Sequence, residues 1–272
     1  MGYWQEKVVV VTGGSSGLGR AIAQGFAANG AHVVIAARNL ESLQATAADI
    51  RRQYGAPGRE VVPISCDVTK QEDVDRLFNE TAAQFGRIDV LVNNAGRSAR
   101  GQAIDTTPEE FQQMWDLNFL GAVRCTRAAA RHLLAAGGHL VNIGSLSAKC
   151  ASRFLGAYPV SKYAMAAYTQ QLRLELAPHG LHVMLVCPGP VILQDRDENR
   201  YQAQTAGLPE SARKPGGGVK LSAVKAKELV RKMLRACEKR HPELVYPRTA
   251  RLLFILSQVS PRLGDWILRR WT

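Results

Sequence analysis

Tyr158 and Lys162 stand four residues apart, and Ser145 lies 13 residues before Tyr158. In a helix that first spacing puts the phenol and the ammonium on one face, a turn apart. A free phenol, with a pKa of about 10, is poorly matched to proton transfer at neutral pH. A cation about 4 Å away, at an effective dielectric near 20, is worth about 4 kcal/mol. That corresponds to roughly three pKa units, enough to bring the phenol near neutrality. Tyr158 then has the chemistry of a proton donor to an alkoxide, and Ser145 that of a hydrogen-bond donor to a developing oxyanion. Alone, Y-x-x-x-K reads as a helix aromatic and a solvated charge. Ser145 and a glycine loop in the same chain favour the catalytic reading.

The loop is Thr12-Gly13-Gly14-Ser15-Ser16-Gly17-Leu18-Gly19, between a valine run and an alanine-rich helical stretch. Glycine there permits a tight turn and lets backbone N–H groups approach a phosphate at a helix N-terminus. The spacing is T-G-x-x-x-G-x-G, not the G-x-G-x-x-G fingerprint.

The elements that must position these groups alternate. β-branched runs are expected at Val8–Val11, His32–Ala36, Val61–Cys66, Ile88–Val92, Gly138–Ile143, His182–Val186 and Leu244–Tyr246. Helical periodicity lies between them, at about 18–29, 40–53, 71–85, 108–134, 157–177 and 224–238. Thr107-Pro108-Glu109-Glu110 has the form of a capped helix start. Strands apolar on both faces and separated by helices predict a parallel sheet covered on both sides, in a doubly wound α/β fold with about seven strands. One domain is expected over 1–272. The polar stretch 194–220, with Pro209, Pro215 and Gly216-Gly217-Gly218, has the composition of a lid or a disordered insert.

Composition narrows the function classes. Hydrophobic residues make up 46% and charged residues 21%, which excludes general disorder. The net charge of +12 is uneven: 213–272 holds 15 basic and 4 acidic residues, so the body before it is nearly neutral. This weighs against a nucleic-acid-binding fold, whose footprint is a basic face on the folded domain. No apolar run approaches the roughly 18 residues of a membrane span, and the four-valine run is too short for a signal-peptide core. Five scattered cysteines without a C-x-x-C pair imply a reducing, cytoplasmic compartment and buried thiols. The six histidines show no i, i+4 pair, so no metal site is expected.

In this order the motifs resemble the short-chain dehydrogenase/reductase family. Asn93-Asn94-Ala95-Gly96 follows the fourth strand as the family's N-N-A-G does. Asn118 matches its helix asparagine, Ser145 closes the fifth strand, Tyr158 and Lys162 complete Y-x-x-x-K, and Pro188-Gly189 follows the sixth strand. The resemblance covers about 7–191 and implies a Rossmann-type fold and an oxidoreductase acting on a carbonyl/alcohol pair. It implies that Asn118, Ser145, Tyr158 and Lys162 are catalytic, with Asn118 holding a water of a proton relay. It implies cofactor contacts from Gly13, Ser15, Ser16, Gly17, Leu18, Gly19, Asn94, Ala95, Gly96, Tyr158, Lys162, Pro188, Gly189 and Val191, and an adenine-amine contact from Asp67. Where many NAD-using members carry Asp at the second strand's end, Ala37 stands here and Arg38 follows. A guanidinium suits a 2′-phosphate, so NADP(H) is the expected cofactor. The family's P-G-x-V-x-T reads Pro188-Gly189-Pro190-Val191-Ile192-Leu193, which removes a threonine hydroxyl.

The expected substrate is a small-molecule ketone or alcohol, most similar to the lipid-like or steroid-like substrates of some branches, and the expected assembly a homodimer or homotetramer. The alternative is an NADPH-binding sensor or scaffold without turnover. From 248 to 272, five arginines face one acid among apolar residues at helical intervals, and Ser260-Pro261 divides the stretch. Two short amphipathic helices are expected. They dock either on the body or a sister subunit, or on an anionic membrane surface, which would make the protein peripheral there.

Overall fold

The computed structural model describes residues 2–193, 201, 203–205, 207–213 and 222–271. Val8–Thr12 forms β1, a run of four valines and a threonine with no exposed face. Such a strand belongs inside a sheet covered on both sides. The elements that follow are α1 (Gly17–Ala28), β2 (His32–Ala37), α2 (Leu40–Tyr54), β3 (Val61–Ser65), α3 (Gln71–Phe85) and β4 (Val90–Asn93). Then come α4 (Pro108–Trp115), α5 (Gly121–Ala135), β5 (His139–Ile143), α6 (Tyr158–Leu176) and β6 (His182–Pro188). The chain continues through β7 (Val191–Ile192), β8 (Val224–Lys225), α7 (Ala226–Glu238), β9 (Glu243–Tyr246), α8 (Ala250–Val259) and α9 (Pro261–Trp271).

Seven strands form one sheet in the order β3-β2-β1-β4-β5-β6-β9, every pair parallel. The order reverses direction between β1 and β4. In open α/β sheets that reversal opens a crevice at the carboxyl ends of the strands, where ligands bind. Period-two alternation sorts the side chains to two faces. Val9, Val11, Val33 and Ile35 join Ile22, Phe26, Leu43 and Met233 on one. Val10, Val34 and Leu91 join Leu77, Phe78 and Leu133 on the other.

Local signals set several boundaries. Asn39 caps α2, its side-chain oxygen accepting from the Ser42 N–H at 2.8 Å. Thr107 and Glu110 form a capping box at α4: Thr107 Oγ1 accepts from the Glu110 N–H, and the Glu110 carboxylate from the Thr107 N–H.

Two elements differ from the sequence expectation. The helix expected over 108–134 is interrupted by a π-helical turn, Asp116–Leu120. Its extra residue coincides with Asn118, which is buried, its side chain tied to the Arg97 backbone and to Ser161. The helix expected from Val224 begins two residues later. Val224–Lys225 first pairs in parallel with Val191–Ile192, and the Val224 N–H donates to the Pro190 carbonyl at 2.7 Å. Of the stretch 194–220, residues 194–200, 202, 206 and 214–220 lie outside the described residues.

Candidate active site

The glycine loop leaves β1 at the reversal point, and the chain after β4 braces it. Asn94 Nδ2 donates to the Thr12 and Gly13 carbonyls at 3.0 and 3.2 Å, while Thr12 Oγ1 accepts from the Asn94 and Ala95 N–H groups. Gly13 and Gly17 have φ of +66° and +55°, and a Cβ on Gly19 would stand 2.0 Å from the Gly13 carbonyl oxygen. Only glycine fits this cradle. Helix α1 begins there with no side-chain cap from Ser16 and no acidic residue in its first turn. An uncapped, acid-free helix N-terminus beside exposed backbone amides fits the phosphates of a dinucleotide.

A cavity of about 500 Å³ runs from this loop to the ends of β5 and β6, within the usual size of ligand sites. Gly13, Ser15, Ser16, Gly17, Leu18, Gly19, Asn94, Ala95 and Gly96 line one end. Ser145, Tyr158, Lys162, Pro188, Gly189 and Val191 line the other. Three residues proposed from the sequence stand outside it. Arg38 is exposed just past β2, its carbonyl accepting from Ser65. Asp67 Oδ1 caps the turn at Thr69. Asn118 lies behind Gly96, where a Cβ on the glycine would meet its Oδ1 at 2.8 Å.

Ser145 follows β5 and Gly144, and its Oγ accepts from the Ser147 N–H at 3.1 Å. Tyr158 opens α6, where Pro159 in the first turn needs no N–H partner. Lys162, one turn on, is buried and donates to the Ile143 carbonyl at 2.8 Å. Its Nζ lies 5.9 Å from the centre of the Tyr158 ring. The ammonium thus stands on the Tyr158 side of the helix while its hydrogen bond goes to the end of β5. Burial drives the Lys162 ammonium down to about 8. Burial also holds the Tyr158 phenol above its ordinary value, opposed by a hydrogen bond with Ser145 and by the Arg100 charge. Tyr158 thus carries its proton at neutral pH.

The sequence reading missed much of the far wall. Leu155, Ala250, Leu253, Phe254 and Leu268 make it apolar, and four of these five come from the C-terminal helices. The missing threonine is Leu193, which lies over the loop 3.3 Å from where a Cβ on Gly17 would sit. Arg100 is buried beside the cavity. It donates to the Ala212 carbonyl at 2.7 Å and stacks 4.0 Å over the Tyr201 ring, and Tyr201 hydrogen-bonds Ser98. These contacts hold the described part of 201–213 to the body. Nothing in local spacing pairs residue 100 with residues 201 and 212.

A second cluster lies at the opposite end of the sheet. His139 and His182 head β5 and β6 in register, with Cys237 of α7 within 4.8 Å. The Tyr3 hydroxyl bonds His139 Nε2, His139 Nδ1 bonds His182 Nδ1, and His182 Nε2 bonds the His241 carbonyl, each at 2.8 Å. One assignment satisfies all three: Tyr3 donates to His139, His139 to His182, and His182 to the carbonyl. Burial pushes His139 down to about 3 and lowers His182 as well, so both rings are neutral.

Sheet order, glycine cradle and the Ser145, Tyr158 and Lys162 side chains together define a dinucleotide-binding α/β protein of the oxidoreductase type. The model of the short-chain dehydrogenase family matches residues 7–204, and the chain belongs to that family. An uncharacterized oxidoreductase of Bacillus subtilis is 38% identical over 193 residues, 69% of this chain and 52% of the relative. The chain thus matches about half the length of that protein. A sorbitol dehydrogenase of Cereibacter sphaeroides is 34% identical over 68% of this chain and 70% of its own. Among solved structures, the L-sorbose reductase of Gluconobacter frateurii, complexed with NADPH and L-sorbose, superposes with a TM-score of 0.75 at 27% identity. That alignment covers 89% of this chain and 95% of the reductase.

Proposed function

We propose that this protein is an NADP(H)-dependent oxidoreductase that interconverts a ketone and a secondary alcohol, working mainly as a reductase on an apolar substrate. The observation that carries this is the single cavity joining a dinucleotide-shaped glycine loop to Ser145, Tyr158 and Lys162. The loop 13–19 would hold the pyrophosphate, Asp67 the adenine amine, and Asn94, Ala95 and Gly96 the adjoining ribose. Pro188, Gly189 and Val191 would meet the nicotinamide, whose bound form supplies the hydride.

Tyr158 gives its proton to the carbonyl oxygen as that oxygen becomes an alkoxide. Ser145 Oγ, a neighbour of the phenol, donates to the same oxygen and stabilises its growing charge. A phenol held protonated by burial suits reduction, where the first requirement is an acid. Lys162 offsets the phenolate that remains. The Asn118 side chain is engaged by Arg97 and Ser161, and the family resemblance supports a role for Asn118 in holding the water that returns the proton.

Arg38, exposed at the end of β2 and next to Ala37 rather than an acid, supports NADP(H) over NAD(H). The sorbose reductase was solved with NADPH, and a Burkholderia phymatum short-chain dehydrogenase/reductase of the same fold with NAD. The apolar wall supports a substrate less polar than a sugar. Trp115, Val160 and Tyr163, exposed along α4 and α6, support a homodimer or homotetramer through that face. Five buried, unpaired cysteines support a reducing cytoplasm, and among the described residues no helix is long and apolar enough to cross a membrane. NADPH oxidation against graded aliphatic, steroidal and sugar ketones tests this reading. Turnover that rises with apolar size supports it. Stoichiometric NADPH binding without turnover on any ketone would select the sensor or scaffold.

A further inference from the structure

Helices α8 and α9 form a hairpin with two working faces. Gly264 lies against Ser257, where a Cβ would stand 2.7 Å from the serine Cα, so the two helices meet at backbone distance. The inner face, with Ala250, Leu253, Phe254, Ile267 and Leu268, packs on Met165, Leu185, Cys187 and Val245 and walls the cavity. The outer face has nothing over it among the described residues. Leu252, Ile255, Val259, Leu263 and Trp266 are exposed there by 63, 60, 80, 40 and 52%. Exposed Arg248, Arg251, Arg262, Arg269 and Arg270 accompany them, against Asp265 as the one acid. Arg270 lies 4.3 Å over the Trp266 ring.

Apolar side chains and a tryptophan ringed by arginines are complementary to a surface that is negative outside and apolar beneath. A second copy of the same face is a poor match, because a two-fold contact would set these arginines against one another. We propose that the outer face of the α8–α9 hairpin docks on an anionic phospholipid surface. The wall of the cavity then rests on the membrane, and an apolar ketone dissolved in lipid reaches the site along the hairpin. Delivery rests on the reading of an apolar substrate given above; docking does not.

The test is co-sedimentation of the full chain with phosphatidylserine/phosphatidylcholine vesicles and with phosphatidylcholine vesicles. The comparison variant carries Ile255→Ser, Val259→Ser and Trp266→Ser, none of which lines the cavity. Wild type should bind the anionic vesicles at low salt at least about tenfold more tightly than the neutral ones, and release at high salt. The variant should lose at least about tenfold in vesicle affinity while keeping its melting temperature and its NADPH turnover on a water-soluble ketone. Turnover there reports the catalytic reading separately from docking. Absence of vesicle binding by wild type, unchanged binding by the variant, or conversion of an oligomer to monomer by the variant without any vesicle binding would overturn the proposal.

Discussion

The proposed preference for NADP(H) rests on two residues, Ala37 and Arg38. Arg38 is exposed past the end of β2, where its guanidinium can reach a phosphate. Arg38→Asp replaces attraction at a 2′-phosphate by repulsion and restores the acid that meets ribose hydroxyls. NADPH affinity should fall at least about tenfold while NADH affinity holds or rises, read by fluorescence titration of both cofactors against both proteins. An unchanged NADPH/NADH ratio would place the phosphate elsewhere. At the same scale, Lys162 shows what residue spacing leaves open. The i, i+4 rule puts it on the face of Tyr158, but it does not foretell the Ile143 carbonyl that the buried ammonium also reaches, because that acceptor comes from β5.

At the scale of elements, the C-terminal hairpin is part of the site. Leu253 and Phe254 are buried, and with Leu268 they line the cavity. A chain ending before Arg248 exposes that wall and the cluster around Met165 and Val245. Burial of each large apolar side chain contributes about 2 kcal/mol. The truncated protein should therefore melt several degrees lower and lose turnover on apolar ketones more than it loses NADPH affinity. Thermal unfolding and cofactor titration on the same sample check this; an unchanged melting temperature would mean the hairpin contributes nothing to the fold.

The two helices and the proline that divides them are legible in the sequence from helical spacing, and the strands from their valine runs, because both patterns are local. The side of the hairpin facing inward is not, because amphipathic spacing says that a face is apolar without saying what it meets. The π turn at Asn118 is invisible for a related reason: one extra residue shifts the register without altering composition. The glycine loop, Ser145, Tyr158 and Lys162 were readable because their chemistry depends on residue type at fixed spacing. Arg100 with Tyr201 and Ala212, and His139 with His182 and Cys237, were not, since only strand order and crossover connections bring them together.

Over the whole molecule, charge and titration predict how the fold responds to pH. His139 and His182 are neutral inside, beside Cys237 and under the charges of Lys7, Arg240 and His241, while Tyr3, which bonds His139, has Glu238 and Asp89 near it. The folded pKa of His139 lies near 3, below the ordinary 6.5, so the unfolded chain binds the extra proton first. Stability from this pair is complete above about pH 6.5 and is lost as the pH falls toward 3. The melting temperature should drop through that window, and His139→Gln should flatten the upper part of the drop, where carboxylates do not yet titrate. An acid limb identical in wild type and variant would exclude the pair as its source.

The central claim is that this chain moves a hydride and that Tyr158 supplies the accompanying proton. Tyr158→Phe keeps the ring and removes the proton donor. The most direct measurement is transfer of deuterium from reduced, C4-deuterated NADPH into the alcohol product, followed in single turnovers of wild type and Tyr158→Phe at matched cofactor occupancy. Wild type should deliver the label to a ketone, and the variant should bind NADPH as well but transfer at least about a hundredfold more slowly. Equal transfer rates in the two proteins, or no labelled alcohol from wild type with any ketone, would contradict it.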